Sequence, residues 1–150
     1  MTPLRETATM LMADDDEDDC LLAREALADS RLLNELRFVH DGDELLNYLR
    51  HQGAYADPAT SPRPSLILLD LNMPRRDGRE ALREIKSDPA LHLIPIVVLT
   101  TSKAEEDILR SYDLGASAFV TKPATFGGLV ETLQTLSSYW FEIVELPPIT

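Results

Sequence analysis

Four short apolar runs, each closed by a polar residue, constrain this chain more than any other feature: Met10-Leu11-Met12-Ala13, Leu66-Ile67-Leu68-Leu69, Ile96-Val97-Val98-Leu99 and Ala118-Phe119-Val120. Runs without alternation suit strands covered on both faces. A weaker run from Leu36 to Val39 reads as an edge strand. Between the runs lie segments with helical spacing: about 18–29 with Leu22, Ala26 and Leu27, 43–51 with Leu45, Leu46 and Leu49, 78–87 with Leu82 and Ile85, then 104–113 and 125–140. Strand followed by helix five times over predicts an α/β fold with a parallel sheet and helices on both faces. Pro95 before the fourth run, Gly115 after the fourth helix and Asp41-Gly42 after the second strand mark the boundaries. Gly53 to Pro64, with three prolines, reads as a surface loop.

With 150 residues, 44% of them apolar, the chain is expected to form one domain. Its 14 basic and 26 acidic residues give a net charge of −12, which repels nucleic acid and anionic membrane surfaces. No run approaches the roughly 20 apolar residues of a membrane-spanning helix. Cys20 stands alone, and no early stretch has the length and flanks of a signal peptide. These features predict a cytoplasmic protein that contacts neither nucleic acid nor membrane.

In open α/β sheets, ligands bind beyond the carboxyl ends of the strands. There this sequence places Asp14 and Asp15 after the first run, Asp70 after the third, Thr100 after the fourth and Lys122 after the fifth. Three carboxylates and one ammonium leave a formal charge of −2, which a divalent cation would cancel, and an all-oxygen donor set suits Mg²⁺. A carboxylate in such a site can act as nucleophile toward a phosphoryl donor and form an acyl phosphate. Asp70, central in the sheet, is the candidate. The acidic run from Asp14 to Asp19 admits other readings. Asp16 to Asp19 can serve as a solvated cap of the first helix. Asp14, Asp16, Asp18 and Glu25 also follow calcium-loop spacing, but Asp19 stands where that loop needs glycine and a strand, not a helix, precedes it. His40, His51 and His92 carry no metal or phosphohistidine motif.

The segments ADDDEDD, LILLDLNMPRRDG, VVLTTS and FVTKPAT, each following a strand, together resemble the receiver domain of response regulators, from about Thr9 to Trp140. The resemblance implies a flavodoxin-like fold: five parallel strands in order 2-1-3-4-5 and five helices. It makes Asp70 the phosphoacceptor and places the metal, Mg²⁺ or alternatively Mn²⁺, on Asp14, Asp15, Asp70 and the backbone carbonyl of Asn72. Thr100 and Lys122 would bind the phosphoryl group, Phe119 would be the aromatic switch, and Asn72 and Ser102 would tune dephosphorylation. A cis peptide between Lys122 and Pro123 is also implied. The implied function is that of a two-component signalling protein, phosphorylated by a sensor histidine kinase and promoting its own Mg²⁺-dependent phosphorylation and dephosphorylation. A protein-binding pseudo-receiver and an aspartate-based phosphatase are the alternatives.

The long 53–64 loop, Thr100-Thr101 and the tail YWFEIVELPP resemble stand-alone regulators that partner phytochrome-type kinases. Leu129, Leu133, Leu136, Trp140 and Val144 continue one helical stripe beyond the length a sheet covers, until Pro147 and Pro148 stop it. An exposed apolar overhang calls for a partner. The expected division is therefore a lead of residues 1–8, a receiver domain of 9–140 and an arm of 141–150, in which Trp140, Phe141, Ile143, Val144 and Leu146 support a homodimer.

Overall fold

The strands lie in the order β2-β1-β3-β4-β5 and all pair in parallel. They are β1 (Thr9–Ala13), β2 (Glu35–Val39), β3 (Leu66–Leu69), β4 (Ile96–Thr100) and β5 (Ala118–Thr121). The helices are α1 (Glu17–Leu27), α2 (Gly42–Leu49), α3 (Gly78–Ser87), α4 (Glu105–Asp113) and α5 (Phe126–Ser138). This computed structural model describes residues 9–28 and 35–147, apart from the side chain of Ile143. The expected lead 1–8, residue 29 of the first helix and the helix-stopping Pro148 lie outside the described residues.

β1, β3 and β4 are buried at every position, as continuous apolar runs require, whereas edge strand β2 is buried only at Val39. Alternate residues feed two cores. Leu11, Ala13, Ile67, Leu69, Ile96 and Val98 meet α2 and α3 on one face. Met10, Met12, Leu66, Leu68, Val97 and Leu99 meet α1 and α5 on the other. Short polar side chains start the helices: Asp16, Asp41, Asp77 and Thr125 each accept a backbone N–H of the first turn of α1, α2, α3 and α5. Gly115 ends α4 in the left-handed conformation that glycine adopts without strain (φ 108°). Inside the proline-rich loop a short 3-10 turn (Gly53–Tyr55) brings Tyr55 against Tyr48, with ring centroids 5.1 Å apart.

The carboxyl end of β3 leaves almost no room beneath α3. A Cβ on Gly78 would lie 2.3 Å from the carbonyl oxygen of Asp70 and 2.7 Å from the Cα of Leu71. Both are backbone atoms and cannot rotate away, so only glycine fits. Gly78→Ala is expected to cost about 1–3 kcal/mol by chemical denaturation.

The tail departs from expectation. Helix α5 ends at Ser138 and passes into a π turn (Tyr139–Ile143), closed by Val144 N–H donating to the Tyr139 carbonyl at 3.0 Å. Phe141 is 1% exposed and belongs to the α1/α5 core. The buried row runs Leu129, Leu133, Ser137 and Phe141 at strict four-residue spacing. Leu136 and Trp140 flank it, half-buried. Ser137 gives that row a polar member, whereas Leu136 and Trp140 make the neighbouring row the more apolar one in the sequence. Phe141 is therefore corrected from arm to core residue.

Candidate phosphoacceptor site

At the carboxyl edge of the sheet, β1, β3, β4 and β5 deliver Asp14, Asp70, Thr100 and Lys122 to one place. Thr100 is the last residue of β4 and fully buried, and its hydroxyl donates to Oδ1 of Asp70 at 2.8 Å. The Asn72 backbone N–H donates to the same oxygen at 3.1 Å. Asn72 is exposed, with its side-chain amide 3.5 Å from Oγ1 of Thr100. Oδ2 of Asp70 faces Nζ of Lys122 at 3.2 Å.

Lys122 is the hub. Its side chain is 6% exposed, and Nζ also donates to Oδ2 of Asp14 at 2.6 Å and to Oδ2 of Asp19 at 2.8 Å. Burial alone would lower the pKa of this ammonium, but the carboxylates of Asp14 and Asp19 outweigh it and hold the pKa above the ordinary lysine value. Burial pushes the Asp14 carboxyl up to about 6 against the pull of Lys122. The neighbouring Cys20 thiol donates to the Asp14 carbonyl at 3.6 Å, and burial pushes its pKa up to about 12, so it stays an unreactive thiol.

The peptide joining Lys122 to Pro123 is trans, since the described residues contain no cis peptide, and the expected cis bond is corrected. The inward aim of Lys122 has other causes. Its backbone N–H extends the β4–β5 ladder to the Thr100 carbonyl at 2.7 Å, and three carboxylates hold the ammonium.

Ligand oxygens of Asp14, Asp15 and Asp70 lie within 4.8 Å of one another, with Asp15 exposed at the mouth. Carboxylate oxygens so grouped, open on one side, fit a hard divalent cation that keeps part of its water shell. Asp19, treated as part of a solvated cap by sequence reasoning, belongs to this group through Lys122. Four carboxylates against one ammonium leave a formal charge of −3, a larger deficit than the sequence suggests. With Asp16 as N-cap, Asp19 is the third residue of α1, in the turn that overhangs the end of β1, and only that packing brings it to Lys122. Asp16 accepts from the backbone N–H groups of Asp18 and Asp19, and neither Asp16 nor Asp18 joins the cluster, which leaves no calcium loop.

Three arginines after Asp70, to which the sequence alone assigns no role, pair with carboxylates of neighbouring elements. Arg75 pairs with the α2 cap Asp41 at 2.6 Å, and Arg76 reaches Asp43, Glu80 and Glu84. Arg79 forks onto both oxygens of Asp107 at 2.9 Å, and Ser102 donates to that carboxylate at 2.6 Å. Arg79 and Ser102 together lower the Asp107 pKa to about 2. These pairs tie α2 and α4 to the segment that follows Asp70. Phe119 is half-buried against the α2/α3 core, and its N–H donates to the Tyr112 hydroxyl at 3.2 Å.

Comparison with known proteins agrees with this geometry. Residues 10–134 match the response regulator receiver domain. The chain is 44% identical over 138 residues to response regulator Rcp1 of Synechocystis sp., covering 92% of each. The crystal structure of the Mn²⁺-bound form of Rcp1 superimposes with a TM-score of 0.88 at 42% identity, covering 94% of this chain and 99% of that one. The phosphorylated cyanobacterial phytochrome response regulator RcpA gives 0.89 at 44% identity with the same coverage. With sequence and strand order shared over most of its length, the chain belongs to the response regulator receiver domain family.

Proposed function

We propose that the chain is a two-component signalling switch that accepts a phosphoryl group on Asp70 from a sensor histidine kinase of the phytochrome type. The observation that carries this reading is the convergence of Thr100, Asn72 and Lys122 on the two oxygens of Asp70 beside the Asp14–Asp15 pair. Asp14, Asp15 and Asp70 would hold Mg²⁺ or Mn²⁺, with the Asn72 carbonyl as a further ligand. The bound ion would supply charge neutralisation for the incoming phosphoryl oxygens. Lys122 offers an ammonium already placed beside the nucleophile, and Thr100 a hydroxyl that can turn from Asp70 to a phosphoryl oxygen. Phe119, packed beside β4, would follow that movement as the switch. Relatives named as phytochrome response regulators support the choice of kinase. We place the exchange in the cytoplasm, where ATP supplies the kinase, and the net charge of −12 argues against direct contact with nucleic acid.

The test is phosphotransfer from a phosphorylated phytochrome-type kinase in its two light states. Label is expected on the wild-type chain and not on Asp70→Asn, with a light-dependent rate. Transfer that persists in Asp70→Asn contradicts the reading. The metal has its own prediction: Mg²⁺ at about a hundred times its dissociation constant should raise the melting temperature by about 5–10 °C. Asp15→Asn, exposed and outside the core, should remove most of that shift.

A homodimer through the tail is the second element of the proposal, now without Phe141. Tyr139, half exposed and edge-stacked on Trp140 at 5.6 Å, offers an apolar surface together with Val144 and Leu146. Ile143 is part of the proposed arm, but its side chain lies outside the described residues. Tyr139→Asp with Val144→Asp should give monomers by sedimentation; an unchanged mass would contradict the dimer.

A further inference from the structure

An ammonium has three N–H donors, and each of those of Lys122 is matched to a different carboxylate: Asp14 at 2.6 Å, Asp19 at 2.8 Å and Asp70 at 3.2 Å. Two of these acceptors have other duties. Asp14 and Asp70 belong to the oxygen group that fits a divalent cation, and as ligands of such an ion they would have fewer lone pairs left for Lys122. Phosphorylation then removes the Asp70 carboxylate charge altogether. Among the described partners of Lys122, Asp19 alone lies outside the metal group. Its side chain is 15% exposed, and helix α1 fixes its backbone at the third residue after the cap.

We propose that Asp19 is a positioning residue that anchors Lys122 while metal and phosphoryl group occupy the other carboxylates. The inference rests on the receiver reading of Asp70. In transfer from acetyl phosphate, the donor used in the test below, an Asp70 oxygen forms a bond to phosphorus and the bond from phosphorus to the acetyl oxygen breaks. Acetate leaves acetyl phosphate with the bonding pair, and Lys122 keeps its protons. From a phosphohistidine the bond broken is that to the imidazole nitrogen, which takes the bonding pair. Asp19 touches none of the reacting atoms. It holds the long, flexible Lys122 side chain where one N–H can pass from Asp70 to the phosphoryl oxygen, so the ammonium does not have to be recaptured from solvent at each transfer.

Positioning and simple electrostatics predict opposite results. Removing a negative charge near the site should speed reaction with an anionic donor; removing the anchor should slow it. The experiment compares the full-length wild type with Asp19→Asn and Asp19→Glu, using acetyl phosphate and Mg²⁺. Asp19→Asn is expected to slow phosphorylation of Asp70 about tenfold while changing Mg²⁺ affinity less than about twofold, and Asp19→Glu to restore most of the rate. A second readout does not depend on turnover. The chain has three lysines, Lys86, Lys103 and Lys122, so ¹⁵N-lysine spectra resolve the Lys122 ammonium. In Mg²⁺-loaded Asp19→Asn that signal should broaden or vanish through faster exchange with water. A rate equal to or above wild type, or an unchanged Lys122 signal, overturns the inference and leaves the receiver reading standing. A wild type that takes no phosphoryl group on Asp70 overturns both.

Discussion

Phe141→Ala is expected to cost about 3–5 kcal/mol, lowering the melting temperature by about 6–20 °C in a chain of this size. Phe141 is among the largest fully buried side chains and seals the far end of the α1/α5 core beside Leu129 and Leu133. The tail cannot rearrange to fill the gap, because the π turn around it is closed by its own backbone bond at Val144. Thermal unfolding at several protein concentrations checks the claim. A core residue gives a loss independent of concentration, whereas a residue of a free dimer arm would leave the monomer's stability unchanged.

Lys122→Met is the second large effect. It should slow phosphorylation of Asp70 at least about a hundredfold, because a well-placed charge is withdrawn from the developing phosphoryl oxygens. It should also cost about 3 kcal/mol in metal-free buffer at neutral pH, since Asp14, Asp19 and Asp70 lose the cation they share. The pH dependence has a definite sign. Asp14 titrates at about 6 in the folded chain against 3.8 for an ordinary aspartate, so the folded state binds the extra proton between those values. Its burial penalty is absent below about pH 4, grows as pH rises to about 6 and is complete above that. Lys122→Met removes the main force lowering that pKa, which moves the upper limit of the window higher. Denaturant melts without metal should show the variant recovering stability on acidification from pH 7 to pH 5, more than wild type does.

Most of the fold was legible because the central strands are buried on both faces and write themselves as unbroken apolar runs. The first one or two residues past four of the runs then fall at the edge where ligands bind, so Asp14, Asp15, Asp70, Thr100 and Lys122 stand out in the sequence alone. Three features were not legible. Asp19 sits on a helix, and its partner Lys122 is 103 residues away. Arg79 and Asp107, 28 residues apart, meet only once α3 and α4 are placed side by side. The tail misled because helical periodicity offers two adjacent rows, and a buried Ser137 gave the correct one a polar appearance.

Everything proposed for the site depends on Asp70 receiving the phosphoryl group. Intact-mass and peptide analysis after incubation with acetyl phosphate and Mg²⁺ tests it most directly. A single hydroxylamine-labile phosphoryl adduct is expected on the peptide containing Asp70, absent from Asp70→Asn and absent when Mg²⁺ is chelated. An adduct at another residue of the wild type, or one that persists in Asp70→Asn, would contradict it.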